Sequence, residues 1–452
     1  MIELSGDNLT KGNLRKQLLK YVLSSIAAMW VFTLYTMVDG MFVARGVGPD
    51  ALAAVNLSMP FINFSFGLSI LLGIGASTRA SVYRGQRKHD EADKIFTMSV
   101  IGVAAVSLFV TAAALLNLER LAYFLGATEV TLQYVKHYLG ILLIFIPFYM
   151  TGYILEVMVK ADGFPHKAIF YPLAGAVANI GLDYVFIFHF HWGIAGAAWA
   201  TGASQVLSFV LFLEHFLGRK SGFSFVKVKV KIHELLKTAK LGISDCVTEF
   251  SIALATFMFN HVLTRTSGEE GVVVFTVISY VSQLILMTMV GLNQGMQPLV
   301  SYYFGRGEER AKKYLFRLAM RVAAVFAVLA CVAGILYPDP VVAAFIDPSK
   351  EPEMFAHGVA AFKMYAPAFL PLGAVVVISG YFTAIELPKQ AMTISIARGA
   401  VFVVVALLIL SAIFGENGVW ITMTVSETCS LILAVALLLR YKRAGDTRVA
   451  EA

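Results

Sequence analysis

Charge is what this chain has least of. Of its 452 residues, 58% are apolar and only 14% charged, against roughly 45–50% and about 25% in ordinary globular proteins. A soluble chain of this length needs charged surface to cover itself. Here the charges cluster between long apolar runs instead of alternating with apolar positions, as amphipathic helices require. Soluble enzymes, nucleic-acid binders and secreted disulfide modules are poor readings on that ground. Cysteine is scarce as well. Cys246, Cys331 and Cys429 lie far apart, within or beside apolar stretches and without ligand spacing, so they read as small buried hydrophobes. No cleavable leader is evident. The first twenty residues are polar, with Asp7, Lys11, Arg15 and Lys16, and the apolar run starting near Leu18 is too long for a signal core. An ATP-binding loop is also missing, which excludes a self-contained ATP-driven pump.

Long apolar runs are what the chain does have. A bilayer core of about 30 Å needs roughly 20 apolar residues per helix. That ruler gives Leu18–Val43, Ala51–Thr78, Ile95–Leu116, Tyr134–Val159, Ala168–Phe188, Trp192–Leu217, Leu236–Thr264, Val272–Val300, Tyr314–Tyr337, Phe355–Ile385, Gln390–Phe414 and Val419–Leu439. The expected fold is therefore an all-α integral membrane protein of about twelve helices.

The net charge of +7 takes its meaning from position. With the N-terminus inside, 29 of the 36 Lys and Arg residues fall on the inner side, 6 on the outer side, and Arg398 inside a span. Outer segments are acidic or nearly uncharged, with Glu269, Glu270, Asp339, Asp347, Glu351 and Glu353. This asymmetry places both termini in the cytoplasm and supports an even helix count. It argues for a membrane partner and against nucleic acid.

The chain also repeats itself. Gly75–Gly85 (GASTRASVYRG) and Gly295–Gly305 (GMQPLVSYYFG) stand 220 residues apart, and each opens a charged loop. Gly163-Phe-Pro165-His-Lys-Ala matches Glu386-Leu-Pro388-Lys-Gln-Ala at an offset of 223. Six helices per half in one orientation predict a parallel repeat, two bundles related by a pseudo-two-fold axis along the membrane normal. The expected division is a first bundle over 1–218, a basic linker over 219–235, a second bundle over 236–440 and a tail over 441–452.

Ionisable residues within spans are costly and usually face a cavity or a partner. They are Asp39, Glu156, Asp183, Asp245, Glu249, Arg398 and Glu427, with His261 near an end. Asp39 lies nineteen residues beyond Lys20 and Asp183 sixteen beyond Lys167, about 28 Å and about 24 Å up at about 1.5 Å per residue. Thr201, nine residues below Trp192, reaches a similar depth from the other side. Asn179 shares a helical face with Asp183. Together these residues make a hard-oxygen pocket for a proton or for Na⁺. The alternative for Asp39 is a place at the outer interface near Arg45. Glu249 is a candidate for substrate or proton binding. Asp245, one turn below, reads as reaching the cytoplasmic interface, and Glu156 as interfacial. Arg398 needs an acidic or carbonyl partner, with Glu427 a candidate, and its role is either structural pairing or substrate contact. Methionines and aromatics mostly pack helices or face lipid. Tyr35 and Met287 are taken as candidate substrate contacts of an adaptable chamber. His189 and His191 lack a third ligand and read as loop residues.

Three runs resemble the multidrug and toxic compound extrusion (MATE) family. They are Asp39-Gly-Met-Phe-Val-Ala-Arg45-Gly-Val-Gly with Ala51-Leu-Ala-Ala-Val-Asn56, Ala178-Asn179-Ile-Gly-Leu-Asp183-Tyr-Val-Phe-Ile, and Gly193-Ile-Ala-Gly-Ala-Ala-Trp-Ala-Thr201. The turn Ala161-Asp-Gly-Phe-Pro165-His-Lys fits too, and the chain looks most similar to the bacterial branch that exports cationic drugs. The resemblance implies a V-shaped pair of bundles in the inner membrane, alternating between inward and outward openings while H⁺ or Na⁺ returns. It carries the cation site to Asp39, Asn179, Asp183 and Thr201, and an acid of the seventh helix to Glu249. Acids of the tenth helix have no match within Phe355–Ile385, and Ala406 stands where the 223 offset would repeat Asp183. No cofactor is implied beyond the coupling ion, and the chain reads as a monomer exporting small amphipathic organic cations.

Two rivals stand beside this reading. A lipid-linked oligosaccharide flippase of the same superfamily would need a cationic chamber for pyrophosphate, and Arg398 is the one buried basic residue in the spans. A membrane-embedded enzyme would need paired histidines with an acid on adjoining turns, and none is found.

Overall fold

The computed structural model describes residues 10–218 and 221–450. Asp7, the linker residues Arg219 and Lys220, and the last two residues of the tail lie outside them. Among the described residues there is no strand, and twelve helices are long and apolar enough to span a bilayer. They are α1 (Lys11–Gly46), α2 (Asp50–Gly85), α3 (His89–Leu116), α4 (Leu132–Ala161), α5 (Lys167–His189), α6 (Gly193–Leu217), α7 (Ile232–Thr266), α8 (Glu270–Gly305), α9 (Glu309–Leu336), α10 (Pro352–Ala384), α11 (Pro388–Phe414) and α12 (Glu416–Arg443). The count matches the apolar runs, but the helices outrun them. The α1 helix starts at Lys11, where the Thr10 hydroxyl accepts from the Asn13 backbone N–H at 3.4 Å, so the polar residues from Lys11 to Lys16 are already helical.

Breaks in the helices follow from local chemistry. Pro352 and Pro388 open α10 and α11 at first-turn positions, where the missing N–H costs nothing. Ala366–Ala368, containing Pro367, narrows α10 to one 3₁₀ turn. One π turn ends α5 at Tyr184–His189, and another interrupts α11 at Ala397–Phe402.

The helices pack as two bundles, α1–α6 and α7–α12, around two main apolar cores, and the core of the second also takes in Leu14, Leu18, Tyr21, Val22 and Ile26 of α1. They meet along a seam lined by small residues. A Cβ on Gly295 of α8 would lie 2.7 Å from Val22 Cα of α1, and one on Gly75 of α2 would lie 1.9 Å from the Thr238 carbonyl oxygen of α7. Glycine is what lets these backbones touch. Polar bonds reinforce the seam. The Tyr303 hydroxyl donates to Gln17 at 3.2 Å, and Arg79 bonds Glu234 at 2.7 Å and the Thr238 hydroxyl at 2.9 Å. Trp30 Nε1 donates to the Thr288 hydroxyl at 3.0 Å. These contacts lie toward the end of the molecule that carries the start of α1, the end of α12 and the basic loops. Beyond Trp30, Leu34, Met37 and Met41 of α1 and Phe257 of α7 are exposed, and among the described residues no hydrogen bond or ion pair joins the bundles nearer the outer end than Trp30–Thr288.

The linker starts as part of the first bundle. Asp162 accepts from Arg84 Nη1 at 2.9 Å and from the Gly222 backbone N–H at 3.0 Å. The backbone N–H groups of Ser224 and Val226 donate to Asp93 and to the Thr97 hydroxyl. Lys227, Lys229 and Lys231 beyond them are exposed.

Candidate functional site

Three helices bring Asp39 (α1), Asn179 and Asp183 (α5) and Thr201 (α6) together inside the first bundle. Asp39 is 6% exposed, while Asn179 and Asp183 have no exposed surface, which removes the interfacial alternative for Asp39. The carboxyl groups of Asp39 and Asp183 lie within hydrogen-bonding reach of each other. Asn179 Nδ2 donates to Thr201 Oγ1 at 3.5 Å. That bond turns the amide oxygen away from the hydroxyl. Asn179 Oδ1, Asp39 Oδ1 and both Asp183 carboxylate oxygens then have no partner. Asp183 closes the α-helical part of α5, and the π turn begins at the next residue; such turns often mark functional sites.

Buried acceptors without donors are expensive, so this cluster calls for a cation. A proton bridging the two carboxylates would satisfy the pair. Na⁺ also fits, because carboxylate, amide and hydroxyl oxygens are the hard donors it takes. Tyr35 lies beside the pair, and its hydroxyl accepts from Gln205 Nε2 at 3.3 Å. Tyr138 is buried on the same side. Sequence reasoning did not reach Tyr138 or Gln205, because neither breaks the apolar pattern with a charge.

A second polar region lies between the bundles, and it corrects the reading of Asp245. This residue does not reach the cytoplasmic interface; half-buried, it lines a cleft with Glu249, Ser244, Asn293, Ser379 and Ser395. Asn293 Nδ2 and Gln297 Nε2 donate to Asp245 Oδ1 at 3.4 and 3.5 Å, and Asp245 Oδ2 is buried without a partner. The signal for these amides was present: Asn293 and Gln297 stand four apart on one face of an apolar helix. Glu156 and Lys160 also move inward from the interface. Lys160 is 1% exposed, and its ammonium donates to Glu156 at 2.9 Å and across the seam to Gln294 at 3.0 Å.

The third region is a larger cavity within the second bundle, about 840 Å³ with its mouth included. Aromatic residues Phe259, Phe275, Tyr365 and Phe369 form much of its wall, and the first two stack at 4.8 Å. Arg398 lines both this cavity and the inter-bundle cleft. Its Nε donates to Glu427 Oε1 at 2.8 Å, the pairing expected of a buried guanidinium. Met287 is buried in α8 and, like Tyr35, lines neither cavity. The three cysteines are free and none is exposed. Among the described residues, no three His, Cys, Asp or Glu side chains converge so that they could hold a metal ion.

Known proteins resemble this chain along most of its length. The family model described as MatE matches residues 25–185 and 246–409. Multidrug export protein MepA of Staphylococcus aureus (strain MSSA476) is 25% identical over 439 residues, 96% of this chain and 95% of that protein. MepA of Staphylococcus saprophyticus subsp. saprophyticus is 24% identical over 453 residues, 96% of each. A solved structure described as the outward-facing conformation of a multidrug resistance MATE family transporter superposes with a TM-score of 0.89 at 22% identity, covering 99% of both chains.

Proposed function

The chain belongs to the MatE family, multidrug and toxic compound extrusion, and from that premise we propose that it is a secondary antiporter expelling amphipathic organic cations in exchange for H⁺ or Na⁺. One observation carries this reading. Asp39 and Asp183 are buried face to face, and the acceptor atoms around them lack donors. A cation entering the pocket supplies what the fold withholds. Binding free energy there can then be spent on moving the bundles. The ion site is assigned to Asp39, Asn179, Asp183 and Thr201. Substrate contact is assigned to Glu249 and Arg398, which line the cleft between the bundles. The similarity to multidrug export proteins supports export of small organic molecules.

With the basic loops inside, the glycine seam closes the cytoplasmic end and the parted ends face outward. Alternating access then consists of opening that seam and bringing the outer ends together. A flippase for pyrophosphate-linked sugars is less well supported. Among the described residues, Arg398 is the only Lys or Arg lining either cavity, and Glu427 already neutralises it.

The test is efflux of a fluorescent cation from proteoliposomes under Na⁺ and H⁺ gradients imposed separately. Antiport predicts that one gradient drives efflux and that its collapse stops it. Efflux indifferent to both gradients overturns the assignment.

A further inference from the structure

The outer end of the second bundle carries a cluster that the transport reading does not use. His357 of α10 stands between two carboxylates from two other helices. Its Nδ1 meets Glu270 Oε1, at the start of α8, at 3.1 Å. Its Nε2 meets Glu416 Oε1, at the start of α12. Trp420 Nε1 also donates to that Glu416 oxygen at 3.2 Å, and its ring stands edge-on to the imidazole, 6.1 Å between centroids. The short helix Pro338–Ala343 approaches the neighbouring Gly358 with Val342, an apolar side chain. Among the described residues, no Lys or Arg forms an ion pair with Glu270 or Glu416.

A carboxylate only accepts, and a neutral imidazole has one N–H to give. Both ring nitrogens can therefore be satisfied together only as imidazolium. In the neutral ring one nitrogen would face a carboxylate oxygen, acceptor against acceptor, and that contact would part. His357 is 25% exposed, so the medium reaches it.

The three stapled helices are also walls of the second-bundle cavity. On each, the lining begins a short way below the staple, at Phe275 on α8, Tyr365 on α10 and Met423 on α12. That is five, eight and seven residues beyond Glu270, His357 and Glu416. All three helices run inward from the cluster, so it sits over the outer rim of that cavity.

We propose that His357 is a proton-operated latch: when protonated from outside it ties α8, α10 and α12 together over the second-bundle cavity, and when neutral it frees one carboxylate and loosens the rim. That it reads the external medium rests on the topology proposed above. The latch itself needs neither that topology nor transport activity.

Hydrogen exchange of the full chain in lipid nanodiscs tests this, compared at about pH 5.5 and about pH 8. After correction for intrinsic rates, amides over 270–276, 354–360 and 417–422 should exchange about tenfold more slowly at the lower pH. His357→Gln should abolish that difference. Glu416→Gln should stay protected at both pH values, because its amide can donate to a neutral ring nitrogen. Equal protection of the unaltered protein at both pH values overturns the latch. So does a pH dependence that survives His357→Gln, or a Glu416→Gln variant that loses protection at both. The readout is independent of efflux, so a failure here leaves the antiport reading standing, and the reverse.

Discussion

Gly85 and Gly305 stand 220 residues apart and back onto each other's helices where α2 crosses α8. A Cβ on Gly85 would lie 2.1 Å from the Tyr302 carbonyl oxygen, and one on Gly305 2.1 Å from that of Val82. Val82 and Tyr302 are also 220 residues apart, so the two contacts exchange under the repeat. This is the mark of a pseudo-two-fold axis passing between them, because an isologous contact pairs each residue with its mate's partner. The repeat seen in the sequence is thus the surface by which the bundles meet.

A wedge at this crossing should open the seam. Gly85→Ala or Gly305→Ala places a methyl group against backbone, which cannot swing aside. Overpacking of this kind costs about 1–3 kcal/mol, enough to shift a two-state equilibrium by about 5- to 150-fold. Spin labels on the loops after α2 and α8 should report longer distances in either variant than in the unaltered protein. Unchanged distances would mean that the crossing is not the moving contact.

The acid pair gives a second prediction. Asp39→Asn or Asp183→Asn keeps shape and volume but removes a charge that the pocket presents to its cation. Gradient-driven efflux should fall by about 5- to 150-fold, the span of a coupling free energy of about 1–3 kcal/mol, with expression and melting temperature preserved. Thr201→Ala should cost less, roughly the 1 kcal/mol of a single net hydrogen bond. Near-normal driven efflux in either Asp variant removes the pair from the coupling site.

The acid pair was legible because depth is a linear function of residue number in a helix. Counting from Lys20 and Lys167 brings Asp39 and Asp183 to one level, and burial and facing follow once the helices pack. The twelve spans were legible for a similar reason, since bilayer thickness acts on composition one helix at a time. Asp245 was misread because the count used Lys240 as the membrane boundary. In the fold α7 starts at Ile232, and its inner turns pack against α2 across the seam, so the residue faces the cleft between the bundles. The Lys160–Gln294 bond was out of reach for the same reason. It joins two bundles, and no helical periodicity records which helix lies opposite.

Topology can be tested without transport. Lys227, Lys229 and Lys231 are exposed, just past the stretch anchored by Asp162, Asp93 and Thr97. A single cysteine at any of them, in a background with Cys246, Cys331 and Cys429 replaced, should react with an impermeant thiol reagent only in inside-out vesicles. The reason is the charge bias of the loops. Labelling from outside intact cells would invert the protein, and with it the outward-facing assignment.

The final prediction separates substrate binding from coupling at Glu249. Asp245 and Glu249 stand one turn apart on α7 and line the same cleft, yet their surroundings differ. Two amides hold Asp245, whereas Glu249 forms no ion pair within 4.0 Å among the described residues. An unpaired carboxylate on a cavity wall is the natural contact for a cationic substrate. Glu249→Gln should then weaken binding of monovalent cationic drugs by about tenfold, about 1.4 kcal/mol. Zwitterionic or neutral substrates should keep most of their transport. If Glu249 instead carries the coupling proton, every substrate should lose gradient dependence together. Efflux unchanged for all substrates would leave Glu249 a structural residue and defeat both assignments. We favour substrate binding, because the ion site proposed at Asp39 and Asp183 accounts for coupling without a second carboxylate.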